Sequence, residues 1–298
     1  MRQSYTPALG WLGTAAALAL GAAACSTSDT APATPMLSQA QADSVSEVVA
    51  YDADDEITGA LADGAATYSA AAPALPGNPS TASQCTPTRS PASPADADHD
   101  GVPDSVRLDF TGCVLSYPLE LDTLRGTIDV LDPTPTVPDH KVERIFTDLA
   151  RVRVFLLSGL SSSETRNGIR MTNRDSSTLQ NIETNFRTDY VFRNGAKATH
   201  LRSWSSTFTA DVAGSIQRDA LLPSGLWSID GTSSWTRGPN TYALTVTTNP
   251  PLHYNASCTT FPRFDAGTLT AVVTRGAQTT TVVLEFTACG QMPTVTRS

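Results

Sequence analysis

Residues 182–195 read IETNFRTDYVFRNG, and this stretch decides the fold. Two rows of side chains alternate along it: one row is Ile182, Thr184, Phe186, Thr188, Tyr190 and Phe192, and the other is Glu183, Asn185, Arg187 and Asp189. A period of two residues is typical of a β-strand with one buried face. Asn194 and Gly195 follow directly, and Asn-Gly is the strongest short signal for a hairpin turn. The stretch therefore predicts a strand that turns back into an antiparallel neighbour over residues 199–210.

Segments of the same alternating kind recur along the chain. They lie at residues 105–110, 227–235, 242–248, 268–274 and 282–286. Turn residues separate several of them, including Arg237-Gly238-Pro239-Asn240 and Arg275-Gly276. Strands that follow one another without intervening helices pair antiparallel. We therefore predict an all-β domain, an antiparallel meander that forms either a sandwich or a strongly curved, partly closed sheet.

The composition supports a folded, exported domain and argues against one class of partner. The chain has 298 residues, of which 40% are hydrophobic and 16% charged, so it has enough apolar material for a core. It carries 20 lysines and arginines against 29 acidic residues, a formal net charge of −9. Proteins that bind nucleic acids usually present a basic patch, and the sequence contains no run that predicts one. We expect no nucleic-acid partner.

The N-terminus reads MRQSYTPALGWLGTAAALALGAAAC, with an apolar run over residues 8–24 that ends at Cys25. This pattern resembles a bacterial lipoprotein signal, in which the cysteine becomes the lipidated first residue of the mature chain. The alternative is ordinary secretion with cleavage near the alanine run. Ser26 and Thr27 follow the cysteine, and in such lipoproteins the lack of aspartate there favours the outer membrane. We expect a signal peptide over residues 1–24 and an outer-membrane lipoprotein that is periplasmic or surface-exposed.

Residues 25–84 are rich in alanine, serine, threonine and proline, which is typical of a tether. Within them, Ser44 and Glu47 have the spacing of a capping box, which predicts a short helix over residues 44–62. This helix either packs on the domain or remains exposed. The β domain is predicted to occupy residues 85–298.

The cysteines are consistent with an oxidising compartment. Four remain after Cys25, namely Cys85, Cys113, Cys258 and Cys289. Residues 105–113, SVRLDFTGC, and residues 281–289, TVVLEFTAC, match at most positions, and each has one further cysteine upstream. This similarity favours the pairs Cys85–Cys113 and Cys258–Cys289. The alternative is that the similarity reflects common strand composition.

Three motifs together resemble a group of uncharacterised bacterial lipoproteins. They are DADHDGVPDS, VRLDFTGC, and NPPLHYNASC followed by GTLTAVVTRGAQTTTVVLEFTACG. The group has an acidic Asp-Gly loop, a strand ending in DFG-x-C and a β-rich middle, and the resemblance covers residues 85–298. This chain departs from the group at Thr111 and Thr287, where glycine is common. The resemblance implies the fold and the location, and it implies no activity.

Motifs for catalysis are scarce. The histidines His99, His140, His200 and His253 do not form an H-E-x-x-H pattern, and neither a G-x-S-x-G elbow nor a phosphate-binding loop occurs. Aromatic side chains on predicted strands either stack on sugar rings or pack against neighbouring strands; these are Tyr190, Trp204, Trp227 and Trp235. We expect a non-enzymatic binding or structural module of the envelope, with a glycan or protein partner. The alternatives are a hydrolase of envelope polymers and a carrier of a lipid or other apolar ligand.

One motif predicts metal binding. Oxygen ligands recur at alternate positions of a loop with a glycine at its sharp turn, namely Asp96, Asp98, Asp100, the Val102 carbonyl and Asp104. The twelfth position is Arg107 instead of a bidentate glutamate, so the loop is not a complete EF-hand. We expect a structural Ca²⁺ whose shell is completed by a ligand from elsewhere in the chain. The alternative is an acidic turn that binds no ion.

Overall fold

A computed structural model describes Val49 and residues 87–117, 120–217, 222–258, 260 and 262–298. Its strands in chain order are β1 (Thr88–Ser90), β2 (Ser105–Asp109), β3 (Cys113–Tyr117), β4 (Glu120–Leu131), β5 (Val142–Phe155), β6 (Ser161–Arg174), β7 (Thr178–Val191), β8 (Lys197–Ala210), β9 (Gly225–Arg237), β10 (Asn240–Thr248), β11 (Leu252–Tyr254), β12 (Phe264–Arg275), β13 (Gln278–Phe286) and β14 (Thr294–Arg297). Every strand predicted from the period of two residues is present. The strands β1, β3–β6, β11 and β14 were not predicted.

All of these strands belong to one antiparallel sheet. The order of neighbours is β1-β2-β4-β5-β6-β7-β8-β9-β10-β12-β13-β14, with β3 beside β4 and β11 between β9 and β12. Most strands pair with the next strand in the chain, as hairpin connections require. The sheet is highly curved. The predicted all-β meander is therefore confirmed, in its curved-sheet form.

A line of β-bulges crosses four adjacent strands. It passes through Gly126 of β4, Asp148 of β5, Gly168 of β6 and Asn185 of β7, where the registers of successive pairs shift. All four residues have positive φ, at 99°, 46°, 144° and 49°. A bulge adds a residue to one strand of a pair, bends that strand and increases its twist. Aligned bulges in neighbouring strands therefore bend the whole sheet along one line.

The bulge in β7 also changes which side chains face the interior. Glu183, before the bulge, is buried, whereas its neighbour Ile182 is 38% exposed. After the bulge, Phe186 and Thr188 are buried. The single apolar row predicted over residues 182–192 therefore holds only beyond the bulge, because the extra residue moves the following side chains to the opposite face.

The buried apolar side chains of the inner face form two clusters. The larger cluster is built mainly from β8–β13 and includes Phe208, Trp227 and Phe264. The smaller cluster is built mainly from β2, β4 and β5 and is joined by Phe186 of β7. The two clusters thus lie in different halves of the sheet along its order of strands, and β7 contributes one residue to each.

Val49 belongs to the larger cluster. It is helical and only 2% exposed. The other positions of the predicted helix at 44–62 lie outside the described residues, as do the predicted signal peptide and Cys25. No helix within the described part of the chain is long and apolar enough to cross a membrane. Val49, which precedes the β domain in the chain, is therefore part of the core of that domain.

The disulfide Cys258–Cys289 is present, with 5.9 Å between the two Cα atoms. It joins the loop before β12 to the loop before β14. Cys113 is also disulfide-bonded. Because Cys85 lies outside the described residues, its pairing with Cys113 stays a prediction.

We expect Gly126→Ala to lower the free energy of unfolding by about 3 kcal/mol or more, because it adds strain and a clash. The new Cβ would lie 2.2 Å from the Asp148 carbonyl oxygen, at a φ of +99°. Urea denaturation of the non-lipidated Cys25→Ser chain measures the change. The control is Gly195→Ala in the β7–β8 turn, where φ is +76° and no atom lies within 4 Å. This control is expected to cost only about 1–2 kcal/mol, and equal losses in both variants would contradict the role of the bulge.

Candidate functional site

The meander gives the sheet two ends with different charges. One end, here called the arginine end, carries the turns at 156–160, 192–196, 238–239 and 276–277. Its exposed and half-exposed cations are Arg153, Arg193, Lys197, Arg237 and Arg275. The opposite end, the aspartate end, carries the loops at 91–104, 132–141 and 211–224, with Asp96, Asp98, Asp100, Asp104, Asp132, Asp139 and Asp211. The turns and strand ends of the first end therefore carry mainly cations, and the loops of the opposite end carry mainly carboxylates.

A buried ion cluster occupies the inner face between these ends. Glu183 of β7 accepts hydrogen bonds from Arg170 of β6, at 3.0 Å from Nε, and from Arg202 of β8, at 3.1 Å from Nη2. Both arginines are 3% exposed and both lie over the Phe186 ring, at 5.5 and 5.1 Å from its centroid. The cross-strand pairing of β6, β7 and β8 at this level brings the three charges together.

The cluster keeps Glu183 ionised. Burial alone would raise its pKa, but the charges and hydrogen bonds of Arg202 and Arg170 outweigh burial and lower the pKa to about 2. A general acid or base needs a pKa near the working pH. Glu183 therefore has a structural role, that of neutralising two buried cations.

We expect Glu183→Gln to destabilise the fold by about 3–5 kcal/mol, because it leaves two buried guanidinium groups without their carboxylate. Since the folded pKa is depressed to about 2 from the ordinary 4.5, the stabilisation is present above pH 4.5 and is lost as the pH falls towards 2. Denaturation at pH 7 and pH 3 measures both effects. The control is Asp189→Asn, which breaks an ion pair with Arg187, whose side chain is 55% exposed. It is expected to cost less than about 1 kcal/mol; a similar loss in both variants would refute the special role of Glu183.

A small pocket opens at the arginine end. Its volume is about 160 Å³, and it is lined by Arg151, Arg153, Ser162, Ser163, Glu164, Tyr190, Val191 and Phe192. Asp122, whose side chain is fully buried, accepts a hydrogen bond from Arg151 Nε at 2.8 Å, and Arg153 Nε lies 3.6 Å from its other oxygen. Two cations therefore share one carboxylate beside the pocket.

Aromatic rings and guanidinium groups adjoin this pocket. The Tyr190 ring lies 6.0 Å from Phe192 in a stacked arrangement and 5.6 Å from Trp235. Arg237 lies over the Phe192 ring at 5.0 Å, and Arg193 lies over the Phe155 ring at 3.3 Å. A guanidinium group that lies over an aromatic ring keeps its charge at the protein surface, and the ring beneath it adds apolar area.

The β5–β6 turn at this end is apolar and exposed. Leu156 is 55% exposed, Leu157 is 82% exposed and Leu160 is 49% exposed. Single exposed apolar residues are common, but three in one turn form a small apolar tip. This tip, residues 156–160, is next to Phe155 and its cation Arg193.

The four aromatic residues predicted as ligand candidates fall into two groups. Trp204 and Trp227 are 2% and 0% exposed and pack in the larger apolar cluster. Tyr190 and Trp235 are half-buried and lie together at the arginine end. Of this second pair, Tyr190 lines the pocket, whereas Trp235 packs against the larger cluster.

The histidines occupy different surroundings. His200 is buried, 5.6 Å from the Trp235 ring and 6.2 Å from the Trp204 ring. His253 bridges two carboxylates, with Nδ1 2.5 Å from Asp265 and Nε2 3.0 Å from Asp211. These hydrogen bonds raise the pKa of His253, so the ring favours its charged form. Such a bridge joins the 211–224 loop to β11 and β12 instead of activating a nucleophile.

The predicted calcium loop is ordered by its own carboxylates. Asp96 accepts the Gly101 N–H at 3.0 Å, Asp98 accepts the Asp100 N–H at 3.1 Å, and Asp100 accepts the N–H of buried Val102 at 2.6 Å. One oxygen from each of these three aspartates lies within 4.8 Å of the others. Asp104 instead accepts the Ala97 N–H at 3.0 Å and closes the loop. The structure therefore brings together three of the predicted ligands.

Sequence reasoning did not single out the Glu183 ion cluster, the Arg151–Arg153 pair or the apolar tip. The run Leu156-Leu157-Ser158-Gly159-Leu160 was a usable signal, because apolar residues are unusual in a turn that contains glycine. The ion cluster had no local signal, since its members come from three strands. No protein-family model, curated protein or solved structure matches this chain.

Proposed function

We propose that this protein is a lipid-anchored, exported, non-enzymatic binding module of the bacterial cell envelope, and that its arginine end binds an anionic membrane surface. The observation that carries the proposal is the exposed apolar tip at 156–160, with Leu157 at 82% exposure, beside a group of arginines. A glycan alone would not require exposed leucines, and a protein partner would not require this excess of cations.

Simple energetics favour such binding. Burying a leucine side chain contributes about 1.5–3 kcal/mol, and each cation near an anionic bilayer contributes about 1 kcal/mol. Aromatic rings such as Phe155 and Phe192 are suited to the boundary between headgroups and acyl chains, where guanidinium groups contact phosphate. The tip and its surrounding cations therefore fit a shallow contact with anionic lipid.

The anchor and the tether fit the same function. A lipid on Cys25 provides one membrane signal, and a contact of the domain with the same membrane adds to it. Because Val49 packs in the larger cluster, the part of the tether that spans the distance to the membrane is residues 25–48, which reach at most about 80 Å, and about 27 Å on average if flexible. Either distance lets the domain reach the membrane that holds its anchor, so the arginine end acts as the second signal.

A saccharide is a second candidate partner. The pocket beside Tyr190, with a volume of about 160 Å³, suits a ring-sized group, and aromatic faces stack on sugars.

An apolar-ligand carrier and a hydrolase have less support. A carrier needs a continuous apolar inner face, yet Glu183 lies between Leu179 of the larger cluster and Phe186 of the smaller one. A hydrolase needs an available general base, and both nitrogens of His253 contact carboxylates.

We expect the non-lipidated Cys25→Ser chain to co-sediment with vesicles that contain phosphatidylglycerol and to bind phosphatidylcholine vesicles poorly. Leu156→Ser combined with Leu157→Ser should weaken this binding at least tenfold, because it removes two apolar anchors.

The control is Val212→Ser, an apolar residue at the aspartate end whose exposure of 68% lies between those of Leu156 and Leu157. It should leave vesicle binding unchanged. Equal binding to both kinds of vesicle, or an equal loss in the control, would count against the proposal. If added sugars displace the protein from the vesicles, the saccharide candidate gains support.

The anchor itself is tested in cells. Labelled palmitate should enter the wild-type chain and not Cys25→Ala, and the variant should leave the membrane fraction when washed with high salt, because screening weakens the remaining contact with anionic lipid. As a control, the wild-type chain should stay in the membrane fraction after an alkaline wash, which removes peripherally attached proteins. A Cys25→Ala chain that still incorporates palmitate would refute the lipid anchor.

A further inference from the structure

Asp132 is a buried carboxylate beside the predicted calcium loop. It directly follows β4 and is 6% exposed. Its Oδ1 accepts the Thr134 N–H at 2.7 Å, whereas its Oδ2 is buried and has no hydrogen-bond partner among the described residues. Burial raises the pKa of Asp132, and the nearby charges of Asp100, Asp98 and Asp139 raise it further. The Asp132 N–H also donates a hydrogen bond to the Asp104 carbonyl oxygen at 3.3 Å, so Asp132 lies against the end of the 91–104 loop although about 30 residues separate the two in the sequence.

The loop itself also contains carboxylate oxygens without partners. Asp96 Oδ1 and Asp98 Oδ2 are both buried and accept no hydrogen bond from the described part of the chain. Asp100 has a fully buried side chain, and its Oδ2 accepts the His140 N–H at 2.8 Å. His140 belongs to the 132–141 loop, so a backbone contact already joins that loop to the calcium loop.

Such an arrangement is unfavourable without a cation. A buried polar atom that lacks a partner costs about 1–3 kcal/mol, and more if it is charged. Here the unpartnered oxygens belong to carboxylates whose charges repel one another. A hard divalent cation with oxygen ligands removes both costs. Calcium suits this irregular set of carboxylates, whereas magnesium requires a near-ideal octahedron and retains several waters.

We propose that Asp132 completes a calcium site with Asp96, Asp98 and Asp100, and that the bound ion clamps the 91–104 loop to the 132–141 loop. Asp132 is the ligand from elsewhere that the incomplete loop pattern requires. The ion fixes the start of β2 against the end of β4, which are paired at Ser105 and Leu131. This proposal is independent of membrane binding at the opposite end of the sheet.

The experiment compares thermal unfolding of the non-lipidated Cys25→Ser chain in about 5 mM CaCl₂, in about 5 mM MgCl₂ and in chelator, with calcium titration calorimetry alongside. We expect calcium to raise the Tm, with a Kd on the order of 10⁻⁴–10⁻³ M, the range of extracellular modules. Magnesium should have a much smaller effect.

Asp132→Asn distinguishes a ligand from a merely structural residue. It should weaken calcium binding at least tenfold, yet in chelator it should leave the Tm unchanged or raise it, because a buried repelling charge is removed. The control is Asp139→Asn in the same loop, whose carboxylate already contacts Lys141 and Thr134; it should retain the calcium shift.

Three results would overturn the proposal. The first is a wild-type Tm that does not respond to calcium. The second is an equal response to magnesium, which would reject calcium as the ion. The third is an Asp132→Asn chain that keeps the full calcium shift or loses the same stability with and without calcium, which would reject Asp132 as a ligand.

Discussion

The line of β-bulges through Gly126, Asp148, Gly168 and Asn185 is the constraint on which the rest of the structure depends. The fourteen antiparallel strands of the described residues form one sheet. This sheet buries an inner face only if it bends, and adjacent bulges bend it along one line. The close contact of β4 with β5 at this line leaves no space for a side chain at Gly126. The bulge in β7 then directs Glu183 and Phe186 towards the same interior.

The ion cluster around Glu183 follows from this geometry. Arg170 and Arg202 enter the interior because their strands flank β7 at this level, and their charges require a buried carboxylate. A buried ion pair adds little net stability over apolar packing, but loss of one partner is costly. The ion cluster lies between the two apolar clusters. It also favours one register of β6, β7 and β8, since a shift in register would leave a buried charge unpaired.

The meander also separates the charges of the surface. Successive hairpin turns alternate between the two ends, so the turns rich in arginine and leucine gather at one end and the loops rich in aspartate gather at the other. Membrane binding and calcium binding are therefore proposed for opposite ends. In the proposed arrangement, one end of the domain contacts anionic lipid while the acidic end is kept away from that surface.

The sequence by itself determined the class of fold, most of the strands from residue 178 onwards, the Cys258–Cys289 disulfide and the position of the acidic loop. These depend on local features: the two-residue period of a pleated strand, the glycine-containing turns and the repeated strand-cysteine unit. Strands β5 and β6 escaped prediction because bulges interrupt their period and their inner faces carry Arg144 and Arg170. Only the tertiary structure decided that Glu183 meets two arginines, that Trp204 is buried in the core whereas Tyr190 lines a pocket, and that Asp132 lies against Asp104 at the end of the acidic loop. Each of these contacts joins residues from different strands or loops, and their proximity depends on register and curvature, which no local pattern encodes.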